Sequence, residues 1–234
     1  MSGDGAGAIA ITRDILPMAL AAPAKETGPQ RLAAVAYAAL GRYGEPDAVL
    51  ALTDPGVAKP FMRAMWRYAR GEALARKGDA AGVRREAQAM NVSPRDLAIL
   101  GAGARRGAAQ VEMARLVLEG RAAMLDSNPK AAIAAFHKAA AIDDRNFKAF
   151  TDPPRWWYPI RRSEAAAQLL AGDATAAAGT ARASLLQRPS DPVSLSVLAQ
   201  AERQLGEGEA ADLHLAQARQ GWIGDIGQVG LAAS

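Results

Sequence analysis

Cysteine is missing from all 234 residues, which excludes disulfides, thiolate metal sites and a cysteine nucleophile. Aromatic residues are few, 4 each of Trp, Tyr and Phe, and β-branched residues are sparse, so little of the chain has the character of a strand. No run approaches the ~20 apolar residues that a membrane-spanning helix needs. Residues 1–12 hold no positive charge, so the apolar run that ends in "ALAAPA" lacks the basic start of a secretion signal. The cytoplasm is therefore the favoured compartment, with the periplasm open to a chain whose signal peptide has been removed. Catalytic signatures are missing too: there is no HExxH, no P-loop and no GxSxG. Neither an enzyme nor a cofactor-binding protein is expected.

What remains is rich in alanine, leucine, arginine and glutamate, residues that favour helix almost everywhere. Half of the residues are hydrophobic and the formal net charge is +4, enough apolar material for a real core and too little charge to demand an anionic partner.

Self-comparison exposes a period. Gly44, Gly78, Gly172 and Gly206 each sit in a short turn before an alanine-rich stretch, and Ser127 stands in the same place in "MLDSNPKAAIAAFHKAAAI". Gly44 to Gly78 and Gly172 to Gly206 are both steps of 34 residues. Seven residues before each turn residue stand Tyr37, Gly71, Gly120, Ala165 and Ala199; five after stand Val49, Val83, Ala132, Ala177 and Ala211; twelve after stand Gly56, Met90, Ala139, Ser184 and Ala218. Mostly small residues at these spacings let two antiparallel helices approach closely. Each unit reads as a helical hairpin, its first helix closed by a left-handed glycine and its second opened by Asp, Glu or Asn-Pro.

This pattern resembles the tetratricopeptide repeat, over about residues 30–219. Gly71 and Gly120 stand where that family has a small residue midway along its first helix. Ala132, Ala177 and Ala211, then Phe136, then Ala139 and Ala218, follow the second helix of the family, and Pro189 matches its closing proline. The family's tryptophan early in the first helix is absent, with Arg67, Leu116, Arg161 and Leu195 standing there. The chain is also similar to the C-terminal parts of longer bacterial repeat proteins. The resemblance implies an all-α, right-handed solenoid of about five hairpins. Residues 1–29 would form a lead-in or capping helix, 30–219 the array, and 220–234 a capping tail. Extra residues fall near 91–109 and 144–157, with a short additional helix expected from Ser93-Pro94.

The second irregular join holds "DPPRWWYPIRR", residues 152–162. Asp152-Pro153-Pro154 blocks a helix and forces an extended approach. Trp156 and Trp157 then serve either as packing that plugs the lengthened join or as an aromatic platform beside Arg161 and Arg162; packing is the expectation. His137 and His214 read as packed or surface residues, and the spacing of Met62, Met65 and Trp66 as core.

In tetratricopeptide proteins the concave surface comes from the first helix of each pair. Carried over residue by residue, the resemblance assigns a peptide-binding groove to Tyr68, Glu72, Arg76, Arg121, Arg162, Gln200 and Arg203, with Arg31, Arg42, Met65 and Met124 beside them. The expected function is a non-catalytic scaffold that binds a protein or peptide segment, acidic to suit the recurring arginines. Two alternatives stand: an RNA-binding helical solenoid, less favoured because basic clusters such as "GARRG" are short, and an accessory domain of a larger enzyme or metal-handling complex. The tail, with Trp222, Ile226 and Val229 at i, i+4, i+7, is expected to dock as a short helix on the fifth hairpin near Leu213. The competing role for the tail is a weak homodimer contact through the terminal repeats.

Overall fold

The computed structural model describes residues 3–147 and 156–231; Asp152-Pro153-Pro154 lies outside them. Among the described residues there are eleven α-helices, two short 3-10 helices and no strand. In chain order the α-helices are α1 (Gly5–Ala21), α2 (Thr27–Tyr43), α3 (Pro46–Leu50), α4 (Pro60–Arg76), α5 (Ala80–Gln88), α6 (Ala104–Leu125), α7 (Pro129–Asn146), α8 (Arg161–Leu170), α9 (Ala174–Gln187), α10 (Pro192–Gln204) and α11 (Gly208–Gln220). None is long and apolar enough to cross a membrane.

Each helix packs on its neighbours in the chain, and α2 also meets α4, α4 meets α6, and α8 meets α10. The turn residues show why the hairpins form where they do. Gly78, Gly172 and Gly206 adopt φ of 77°, 83° and 82°, and Ser127 occupies the same left-handed region at 55°. The next helix then starts on a side-chain cap: Asp79 accepts from the Gly82 amide, Asn128 from Ala131 and Asp173 from Ala176. Four helices open on proline, where its missing amide hydrogen costs nothing.

The small-residue register falls inside. Tyr37, Gly71, Gly120, Ala165 and Ala199 are buried, as are Val49, Val83, Ala132, Ala177 and Ala211. A Cβ on Gly120 would stand 2.5 Å from the Phe136 ring, and one on Gly71 would stand 2.5 Å from Leu118. Bare backbone at these two points lets α6 lie against α7 and α4 against α6. The first unit departs from the pattern. Gly44 has φ −67°, α3 is only 5 residues long, and Gly56 lies in a turn after it rather than on a second helix. Arginines stand in two of the places that lack the family's tryptophan, and they form ties between helices instead. Arg67 pairs with Glu86 at 2.9 Å, and Arg161 holds both oxygens of Asp144.

The join near 91–109 is a surface excursion. Ser93 and Asp96 cap each other reciprocally, but a 3-10 helix over Ala98–Gly103, broken at Gly101 (φ 54°), follows in place of an α-helix. Leu97 is its buried anchor. The tail also forms a 3-10 turn, Ile226–Gln228, where an α-helix was expected. Ile226 is buried against Val193, Leu195 and Ala218, with Trp222 and Val229 around it. Leu213 is 58 % exposed and takes no part: the tail packs on the start of α10 and the end of α11. The glycines on either side of Ile226 leave too little helix propensity for more than one turn.

Candidate functional site

Side chains from the inner faces of α4, α6 and α8 converge on the segment Trp156–Ile160. Tyr68 and Glu72 lie one helical turn apart on α4, and the Tyr68 hydroxyl donates to Glu72 Oε1 at 2.8 Å. Trp157 Nε1 donates to the Tyr68 oxygen at 3.2 Å, and the Trp156 ring sits 5.2 Å from the Tyr68 ring, tilted. Arg121 of α6 faces Glu72 at 3.5 Å. Arg162 of α8 pairs with Asp191 at 2.9 Å and places its guanidinium 4.3 Å from the Tyr158 ring centre. Among the described residues the Nε and Nη2 of Arg162 have no hydrogen-bond partner, and the guanidinium lies against the rings of Tyr158 and Trp157.

Burial decides the electrostatics here. The Tyr68 hydroxyl is pushed well above its ordinary pKa, first by burial and then by the Glu72 charge. Asp191 is held below the usual carboxylate range: burial acts against this, and the Arg162 guanidinium and the Ser194 hydrogen bonds outweigh it. Burial pulls the Arg121 pKa down, but Glu72 and the two tyrosines more than offset this, and the net shift is upward. Arg42 of α2 is shifted down by burial and then by Arg162 and Arg121, so charges from α2, α4, α6 and α8 act on one another.

The residues assigned to the peptide-binding surface divide in two. Tyr68, Glu72, Arg121 and Arg162 come together and are covered, each no more than 5 % exposed. Arg76, Gln200 and Arg203 are exposed: Arg76, within electrostatic reach of Glu72 and Arg42, donates to the Gly44 carbonyl, Gln200 to the Ser196 carbonyl and Arg203 to Asp212. Of the aromatic pair, Trp156 is buried and Trp157 half-buried.

Sequence reasoning missed Arg188, which donates to the carbonyls of Trp156 and Trp157 at 2.7 and 2.8 Å. It also missed Asp191 as the counter-charge of Arg162. The Asp191-Pro192 step, a good helix start, could have drawn attention to Asp191; no local signal marks Arg188. Chemically the arrangement holds a bent, non-helical backbone by its carbonyls and grips aromatic rings between a phenol and a guanidinium.

The two histidines make parallel contacts elsewhere. His137 Nδ1 meets Glu164 at 2.8 Å and His214 Nδ1 meets Glu202 at 2.7 Å. His137 and Glu164 also line a cleft of about 440 Å³ between α7, α8 and α9. Among the described residues no cluster of three or more metal-ligating side chains occurs. The described residues are all-helical, and arginine and tyrosine side chains of α4, α6 and α8 pack around the buried aromatic segment. Comparison with protein-family models, with curated proteins and with solved structures gives no match.

Proposed function

We propose that the chain is a non-catalytic scaffold: a tetratricopeptide-like solenoid that binds an extended segment of another protein. One observation carries this reading. Tyr68 of α4, Arg162 of α8 and Arg188 at the end of α9 already hold a non-helical polypeptide segment, Trp156–Ile160, by ring contacts and by carbonyl capture. A surface that can hold its own chain in this way has the chemistry to hold another. The partner would first meet exposed side chains, among which Arg76 and Arg203 favour acidic residues.

The test is selection from a peptide display library, followed by titration of the enriched peptides. Acidic sequences should be enriched, and the double variant Arg76→Glu, Arg203→Glu should weaken them at least about fivefold. No enrichment over an unfolded control, or equal affinity for parent and variant, would sink the proposal. Binding that tracks oligonucleotide length and falls steeply with salt would favour the RNA reading in its place.

A further inference from the structure

Gly3, before the first helix, touches the segment that follows the last. Gly3 adopts φ 76°, and a Cβ placed on it would stand 2.6 Å from Trp222 Cε2 and 3.0 Å from the Ile223 carbonyl oxygen. Trp222 is itself seated on the Val193, Leu195, Ala218 and Ile226 cluster of the last hairpin. Gly5, two residues on, lies equally close to the Tyr43 ring at the end of α2, and Asp4 between them caps α1 through the Gly7 amide at 2.8 Å. The first two helices and the last hairpin are thereby linked through three consecutive residues, two of them glycines in close contact with an aromatic ring.

We propose that Gly3 and Trp222 form a clasp that joins the first and last hairpins and governs access to the aromatic-filled groove. The clasp brings together elements that are farthest apart in the chain, so its release lets the helices between them relax outward. The groove lies between those elements. Its charges come from α2, α4, α6 and α8, and Arg42 on α2 feels both Arg121 and Arg162. Four covered side chains, Tyr68, Glu72, Arg121 and Arg162, can meet a partner only if Trp156–Ile160 moves aside, and opening the clasp is the motion the contacts provide. The regulatory meaning rests on the peptide-binding reading; the clasp itself does not.

The absence of cysteine makes a clean measurement available. Cysteines at the exposed positions Ala6 and Glu209 would carry a donor and an acceptor dye. The parent should give one high transfer efficiency. Gly3→Val should lower it, since Val clashes with Trp222 and resists positive φ while leaving the C-terminal core untouched. Trp222→Ala should do the same. Amide exchange over Trp156–Ile160 should quicken about tenfold in Gly3→Val while the centre of α6 stays protected. Unchanged transfer in both variants would overturn the clasp. Lowered transfer with unchanged exchange would overturn its control of the groove. Neither readout involves a partner, so the proposal can fail while peptide binding stands, or the reverse.

Discussion

Two joins interrupt the repeat, and the chain resolves them in opposite ways. Near 91–103 the extra residues stay mostly on the surface, and the 3-10 helix there has no fully buried side chain; Leu97 is buried, and Val92 and Leu100 pack on the core while partly exposed. At 156–160 the chain turns inward, and Trp156, Tyr158 and Ile160 are each no more than 3 % exposed. Both look alike as interruptions of a 34-residue period. Composition separates them. Ala98–Gly103 offers only Ile99 and Leu100 beside alanine and glycine, whereas two tryptophans and a tyrosine gain several kcal/mol at roughly 25 cal/mol per Å². The inward join becomes part of the main core, and the outward one remains a connection.

Removing the rings should give the largest effect. Tyr158→Ala or Trp156→Ala should cost about 3–5 kcal/mol in urea unfolding, because each leaves a cavity and a neighbouring guanidinium or phenol without its ring. Leu97→Ala should cost about 2–3 kcal/mol, and Ile99→Ser in the same join, already 41 % exposed, less than about 0.5 kcal/mol. If Leu97→Ala proves as costly as Trp156→Ala, the contrast between the joins fails.

The turns rank next. Gly172→Val and Gly206→Val should each lose about 1 kcal/mol or more, because a Cβ opposes φ above 80°. Ser127→Gly, at the same turn position with φ 55°, should gain up to about 1 kcal/mol for the same reason. Thermal melts unchanged by all three would refute the turn register.

Asp143 gives a pH signature beside the inward join. Burial, and then the Asp144 charge, raise its carboxyl from 3.8 to about 6. The folded state therefore holds this proton more tightly than the unfolded state does. Its contribution is full below about pH 4 and is lost as pH rises to about 6. Asp143→Asn should remove that slope and be more stable than the parent at pH 7 by about 1 kcal/mol, allowing for solvent screening. A parent-minus-variant difference that stays flat from pH 4 to pH 7 would contradict the shift.

The hairpin units were legible because their signals are local. A left-handed turn residue, an Asp or Asn cap and a small residue at a fixed spacing each act within one or two helical turns, so Gly78, Asp79 and Gly120 could be read without knowing their neighbours. The first unit was legible only in part, since Gly44 resembles the other turn glycines in sequence yet has an ordinary φ.

Helicity, the turn register and the helix caps were thus set by the sequence through short-range backbone geometry. The tertiary structure alone decided which arginines are reachable. Tyr68 and Trp157 are 89 residues apart, and Arg188 meets the carbonyls of Trp156 and Trp157 from 32 and 31 residues away. A helical face reads the same whether water or an aromatic ring covers it, because periodicity records which side of a helix turns inward and not what arrives to fill the space. Arg121 and Arg203, both expected on the concave face, differ for that reason: the aromatic segment lies over one, and solvent lies over the other.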